Sequence, residues 1–384
     1  MFVSDIETNR DLLSQKIRGK SVLVIGGAGS IGSSFIKAIL PFGPASLVVV
    51  DTNENALAEL TRDLRSTKGM FIPAEYLPYP MDFASPVFRK MFVKRGGFDI
   101  VGNFSAHKHV RSEKDIFSVE ALLQNNVLHA KLLLDLLADY PPEEYFCVST
   151  DKAANPVNIM GASKRIMEDV IFSYSDKFPV KTARFANVAF SNGSLPAGFL
   201  ARIQKLQPLS APSDVKRFFV SPEESGQICL LACILGNNRE IFFPKLAEAQ
   251  MMTFDAIATE LLRAHGYEVL ECNSDAEAIE KAELLKSGSN QYPVHYSKSD
   301  TSGEKPFEEF VTDTEAADLE RFSSLGVIIG KTIPDRERIQ DLFNDLNHAF
   351  DMRETTKEDV VRIMKDYLPN FEHIETGKSL DCKM

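Results

Sequence analysis

The sequence predicts an α/β protein: a Rossmann-type doubly wound parallel sheet with a smaller mixed α/β substrate-binding domain. Three observations predict it. Short apolar, β-branched runs alternate with helical patterns over the first 190 residues. A glycine-rich turn joins the first run to the first helix. The runs are apolar throughout rather than alternating, as in strands covered by helices on both faces of a parallel sheet.

In order, SVLVI (21–25) is the first strand, and a helical pattern follows through Phe35, Ile36 and Ile39. SLVVVD is the second strand and ends at Asp51. FDIVGNF (98–104) reads as a strand and NNVLHAKLLLDLLADY (125–140) as an amphipathic helix. YFCVST (145–150) reads as a strand, SKRIMEDVIFSYS as a helix and VKTARFANVAF as a strand. After about residue 190 the rhythm changes to short helices and loops. The last fifty residues, with KEDVVRIMKDYLP, read as terminal helices, and GKSLDCKM as a frayed end. The expected division is a lead-in and nucleotide-binding domain over 1–190, a substrate-binding region over 191–330, and a helical extension over 331–384.

Composition narrows the function. The chain has 384 residues and a formal net charge of -11, which argues against a nucleic-acid partner, since phosphate backbones select basic surfaces. No stretch approaches the roughly 18–20 apolar residues of a membrane span. The N-terminus, MFVSDIETNRDLLSQKIRGK, lacks the apolar centre of a signal peptide, so a cytoplasmic protein is expected. The five cysteines are scattered without a CxxC pair, and no metal site is expected.

GGAGSIG places Gly26, Gly29 and Gly32 between the first strand and the first helix. Glycines there let the backbone turn tightly and approach a pyrophosphate, and the helix start at Ser30 and Ile31 offers free N–H groups and a positive dipole end. Asp51 lies about twenty residues beyond Gly32, where a carboxylate accepts hydrogen bonds from ribose hydroxyls and repels a 2′-phosphate. NAD is therefore favoured over NADP, although Arg62 and Arg65 follow downstream. Asp82 and Phe83 follow the presumed third strand, where Asp82 can meet the adenine edge or serve as a capping or turn residue.

VSTDKAANPVNIMGASKR (148–165) is the most informative segment. Thr150, Asp151 and Lys152 end an apolar strand, at the carboxyl edge where open α/β sheets bind ligands. Lys164 lies on the helix that follows.

GGAGSIG, SAHKHV (105–110), this block, RFANVAFSNGS (184–194), KRFFV (216–220) and GEKPFEE (303–309) resemble, in this order, the CapD-like polysaccharide-biosynthesis dehydratases of the extended short-chain dehydrogenase superfamily. The resemblance covers about residues 10–320. It implies removal of water across C-5 and C-6 of a UDP-linked sugar, with UDP-N-acetylglucosamine or a close relative as substrate and a 4-keto-6-deoxy sugar as product. It makes Lys152 the C-5 base, which requires its amine to be partly neutral, and Asp151 the acid. Lys164 would hold the nicotinamide ribose, and Ser105 would line the cofactor.

The superfamily usually has a tyrosine four residues before the helix lysine. Here that position is Met160, and a thioether cannot accept a proton. A branch of the resembled family has the same replacement. Thr150 is the nearest hydroxyl to take over, with Ser163 a weaker one.

On the substrate side, Lys108 follows a strand end and is expected near the sugar or its diphosphate. His107 and His109 flank it, as metal ligands or, in preference, as structural hydrogen-bonding groups. Asn187, Ser194 and Arg217 match family positions that hold the UDP moiety. Arg217 could also be an apolar stem covering its surroundings. Glu304 matches a substrate-domain acid, in a segment where Thr301 replaces the family's arginine. The resemblance further implies self-association into a dimer or larger homo-oligomer. Two other readings compete: an NAD-dependent nucleotide-sugar 4-epimerase or reductase, and a non-catalytic dinucleotide-binding protein.

Overall fold

The computed structural model describes residues 1–109, 113–299, 305, 307 and 309–375. The chain divides into two units. The first comprises Met1–Phe185, Pro222–Lys245 and Glu309–His373; the second comprises Ala186–Ser221, Leu246–Glu308 and Ile374–Met384.

The first unit is built on nine strands: β1 (Ser21–Ile25), β2 (Ser46–Asp51), β3 (Glu75–Pro80), β4 (Ile100–Asn103), β5 (Glu144–Val148), β6 (Val180–Ala183), β7 (Glu240–Pro244), β8 (Ala316–Asp318) and β9 (Leu325–Ile329). Their order is 8-9-7-6-5-4-1-2-3. Strands 3-2-1-4-5-6-7 are parallel, and β9 pairs antiparallel with both β7 and β8. This is the doubly wound sheet that the apolar runs predict. Between β1 and β4 the strand order reverses, which puts the switch point at the glycine turn.

Two short lead-in helices, α1 (Val3–Thr8) and α2 (Arg10–Ile17), precede the sheet. Then come α3 (Ser30–Ile39), α4 (Glu54–Ser66), α5 (Pro86–Arg95), α6 (Ile116–Leu123), α7 (His129–Asp139), α8 (Ile159–Phe172), α9 (Pro222–Leu235), α10 (Arg336–Asp351) and α11 (Lys357–Tyr367). Helix α9 is buried from Ser225 to Ile234 and has no polar face, so its sequence lacks the amphipathic period. It packs on α3 so closely that a Cβ on Gly226 would lie 2.2 Å from the Ser34 carbonyl oxygen. The terminal helices join one core with α7 and α8, through Leu342, Leu346, Val360 and Met364 beside Leu133, Val170 and Phe172.

Three readings of the sequence are corrected here. The run VKTARFANVAF is not one strand. It leaves the sheet after β6, and Asn187–Val188 pairs instead with Phe219–Val220 in the second unit. The β-branched and aromatic residues continue through the break, so the sequence carries no mark of a change of partner. The helix over 125–140 begins as a π-turn at Gln124–Leu128 that continues from α6. The division by sequence also differs from the compact units. Residues 222–245 and 309–373 return to the first unit, because β7, β8 and β9 extend its sheet and α10 and α11 close its core.

The second unit is mixed α/β. Its parallel three-stranded sheet runs Glu268–Cys272, Gln291–Ser297, Leu209–Pro212. Helices Leu195–Gln204 and Phe254–Ala264 cover it around Phe199, Ala258, Leu262, Tyr292 and Val294. Lys216–Arg217 pairs antiparallel with Met252–Thr253. Among the described residues no helix is long and apolar enough to cross a membrane.

Candidate active site

The glycine turn shows why each glycine is there. Gly26 has φ +69°, and a Cβ on it would lie 2.6 Å from the Ser105 nitrogen. A Cβ on Gly32 would lie 2.3 Å from the Gly26 carbonyl oxygen. Backbone packing therefore requires both. Gly29 differs: it caps α3 at φ -70°, and a Cβ there would meet only the Gly26 oxygen, at 3.3 Å. That contact is tight but far less severe than those at Gly26 and Gly32, so packing demands a glycine less strongly at position 29. Its missing side chain leaves the N-terminus of α3, with Ser30 and half-buried Ile31, open to an anion. Asp51, the last residue of β2, reaches this turn, with Oδ2 accepting from the Ala28 N–H at 3.0 Å and Oδ1 from the Asn53 N–H at 2.9 Å. An open helix terminus with a carboxylate at its rim fits a pyrophosphate-linked dinucleotide.

After the third strand, Asp82 Oδ1 accepts from the Ala84 N–H at 2.8 Å. The Phe83 ring is buried, edge-on to His129 at 6.0 Å. After β4, the Ser105 hydroxyl donates to Asn125 Oδ1 at 3.2 Å. Lys108 is exposed on the same loop.

Thr150, Asp151 and Lys152 meet at the carboxyl end of β5. Asp151 opens a short 3-10 turn and is 4% exposed. Its Oδ1 accepts from the Thr150 hydroxyl at 2.9 Å, the Lys152 N–H at 2.9 Å and the Lys152 ammonium at 3.2 Å. Helix α8 comes directly up to this turn, since a Cβ on Gly161 would lie 2.6 Å from the Lys152 carbonyl oxygen.

The start of α8 is held from two sides. The Asn158 side chain accepts from the Gly161 N–H at 2.7 Å. The buried Glu113 carboxylate accepts from the Ile159 and Met160 N–H groups at 3.0 and 2.8 Å, where the helix dipole favours a negative charge. Met160 is buried, and its carbonyl accepts from the Ser163 hydroxyl. Lys164 is 3% exposed, and its ammonium donates to the Val148 carbonyl at 3.0 Å. Burial lowers its pKa, against the opposing pull of Cys147 and Glu168.

Three groups that organise this region were not visible in the sequence. Asn126, on the π-turn, accepts from the His107 N–H and donates to the His107 carbonyl, each at 2.9 Å, and donates to Ser163 at 3.1 Å. It thereby ties the loop after β4 to α8. Glu113 is the second. The third is Arg184, wholly buried. It donates to Glu168 at 3.0 and 2.8 Å, to Glu315 at 2.6 and 2.9 Å, and to the Phe310 carbonyl at 2.8 Å. Glu168 also accepts from Ser149, the neighbour of Thr150, at 2.7 Å. Burial opposes these charges. The carboxylates nevertheless hold Arg184 above its ordinary pKa, and Arg184 holds Glu168 below its own. For Arg184 the sequence signal was a charged residue among apolar neighbours; Glu113 and Asn126 lie in polar stretches that give none.

The predicted substrate residues Asn187, Ser194 and Arg217 lie in the second unit. Asn187 begins the short ladder with Phe219, and the Ser194 hydroxyl caps helix Leu195–Gln204. Arg217 is 4% exposed and donates to the Lys305 carbonyl at 3.0 Å. Glu304 and Thr301 lie outside the described residues. Among those that are described, no three His, Cys, Asp or Glu side chains group as a metal site would require.

Comparison with known proteins adds to this geometry. Residues 22–329 match a family described as polysaccharide biosynthesis protein. A protein of Methanocaldococcus jannaschii described as an uncharacterised membrane protein is 29% identical, over 92% of this chain and 98% of its own length. The capsular polysaccharide biosynthesis protein CapD of Staphylococcus aureus is 27% identical over 73% of this chain, which spans only 46% of CapD. An inverting UDP-N-acetylglucosamine 4,6-dehydratase of Campylobacter jejuni is 24% identical, over 59% of this chain and 67% of its own. A UDP-glucose 4-epimerase of Rickettsia conorii is 26% identical, over 74% and 88%. The solved structure of DesIV from Streptomyces venezuelae, a dTDP-glucose 4,6-dehydratase with NAD bound, shares the fold, with a TM-score of 0.56 at 19% identity over 75% of this chain and 87% of its own.

Proposed function

Because the chain belongs to the polysaccharide biosynthesis protein family, we propose that it is an NAD-dependent nucleotide-sugar 4,6-dehydratase acting on UDP-N-acetylglucosamine or a close relative. The observation that carries this reading is the buried Asp151 carboxylate in contact with the Lys152 ammonium at the carboxyl end of the central strand. The dehydratase names among its relatives and fold neighbours support it.

The glycine turn, the open start of α3 and Asp51 would hold the dinucleotide. When bound, NAD⁺ supplies the hydride acceptor for C-4 of the hexose and returns that hydride to C-6. The remaining work is proton transfer. Oxidation at C-4 acidifies the C-5 proton, which Lys152 in its neutral amine form would take, while Asp151, protonated by the C-4 hydroxyl proton, would protonate the departing C-6 hydroxyl; Lys152 would then give its proton back to C-5 as the hydride reaches C-6. Thr150 already donates to Asp151, so the pair offers a path for the C-4 hydroxyl proton that Met160 cannot accept. Buried Lys164 supplies positive charge beneath this edge. Asn187, Ser194 and Arg217 would hold the UDP moiety, with Lys108 near the sugar. Self-association into a dimer or larger assembly belongs to the same reading, and light scattering checks it.

The test is product mass. Incubated with NAD⁺ and UDP-N-acetylglucosamine, the protein should yield a nucleotide sugar lighter by one water. The epimerase among the relatives motivates the second reading, under which the mass would not change.

A further inference from the structure

Three described non-glycine residues have a left-handed backbone: Phe190 at φ 55°, Leu206 at φ 53° and Arg239 at φ 65°. A side chain in that region crowds its own backbone, so it persists only where something holds it. Leu206 closes the helix Leu195–Gln204. Its N–H donates to Ile203, the Gln207 N–H donates to Arg202, and its side chain packs on the second unit's core. Arg239 turns the chain into β7, and its guanidinium donates to the Lys331 carbonyl at 2.8 Å. The fold accounts for both.

The turn Val188–Ser191, closed by the Ser191 N–H to the Val188 carbonyl, sets the backbone at Phe190, but nothing in it calls for a bulky aromatic there. The residue is 44% exposed, so a bulky apolar group meets water on a backbone that a glycine would adopt without strain. The surrounding loop is braced. The Ala189 N–H donates to Val220 at 2.9 Å, the Ser191 N–H to Val188 at 3.2 Å and the Ser194 N–H to Ser191 at 2.9 Å. A rigid turn thus holds an aromatic ring outward between Asn187 and Ser194, the two residues read above as nucleotide contacts.

We infer that Phe190 is a specificity-determining residue whose ring packs flat against a ring face of the bound nucleotide sugar. The inference rests on the nucleotide-sugar reading above. An aromatic face suits either the uracil base or the carbon-bearing face of the hexose, and the shared chemistry is a flat, weakly polar ring.

Two variants test it, Phe190→Gly and Phe190→Leu, each NAD-loaded and titrated calorimetrically with UDP and with UDP-N-acetylglucosamine. The glycine variant relieves the backbone and should melt a few degrees higher. The leucine variant keeps the backbone demand and apolar bulk but loses the ring, and its melting point should stay near the wild type. Both should bind UDP-N-acetylglucosamine about tenfold more weakly. An equal loss for UDP identifies the base as the partner, and a loss confined to the UDP-sugar identifies the hexose. Wild-type affinity for both ligands in both variants overturns the inference while leaving the function standing. A lower melting point for Phe190→Gly overturns it too, because the fold would then need the ring. If the wild type binds no UDP ligand, the nucleotide-sugar reading itself fails and carries this inference down with it.

Discussion

Asp151 Oδ1 gathers three donors, from Thr150 and from the backbone and side chain of Lys152. Three consecutive residues at a strand end can do this because the 3-10 turn folds them back on one oxygen. That compactness is why this part of the site was legible: the residues are adjacent, and a parallel strand ends where ligands bind. Glu113 and Asn126 were not legible. Each is an ordinary polar residue whose partners, Met160 and Ser163, lie far along the chain. The glycines give a prediction at the same scale. Gly32→Ala should destabilise the protein by about 1–3 kcal/mol, because its Cβ would drive into the Gly26 carbonyl. Gly29→Ala should cost less stability than Gly32→Ala, about 1 kcal/mol or below, yet weaken NAD binding about tenfold or more, since its methyl group would sit in front of α3. Melting curves and NAD titrations separate the two cases. Equal loss of stability in both variants would show that position 29 serves packing alone.

Helix α8 carries Met160 and Lys164, and three contacts set its placement: the Asn158 cap, the Glu113 carboxylate and the approach of Gly161 to Lys152. Glycine within a helix is ordinarily less stable than alanine by about 1 kcal/mol. Gly161→Ala should have the opposite sign here, because the new methyl group would meet the Lys152 carbonyl at 2.6 Å. We expect a loss of about 1–3 kcal/mol and a fall in kcat larger than any change in KM, measured by melting and steady-state kinetics. Strands β1, β2, β4 and β5 and helices α3 and α8 were legible because each keeps one partner set and one period. The break after β6 and the π-turn at Gln124–Leu128 were not, since the first depends on pairing with a distant segment and the second interrupts a helical pattern without a Gly or Pro to mark it.

Across the whole molecule, the first unit is closed by chain that returns after the second unit. Arg184 joins the two stretches at Glu168 and Glu315. Burial pushes the Glu315 carboxyl up, but Arg184 and Lys331 outweigh it and hold its pKa at about 2, below the ordinary 4.5. A carboxylate with a depressed folded pKa contributes stability that is present above 4.5 and is lost as pH falls toward about 2. Stability should therefore decline over that window. Glu315→Gln should cost about 3–5 kcal/mol at neutral pH, by leaving Arg184 half-paired, and should flatten the acid decline. Denaturant melts across pH check both, and an unchanged acid slope would count against the network. The chemistry itself is tested most directly by mass spectrometry of the product from NAD⁺ and UDP-N-acetylglucosamine, with wild type and Lys152→Ala side by side. We predict a nucleotide sugar lighter by one water from the wild type. From the variant we predict turnover down by about a hundred- to ten-thousandfold, with NAD still bound. A wild-type product of unchanged mass, or undiminished water loss without the residue-152 amine, would contradict the account.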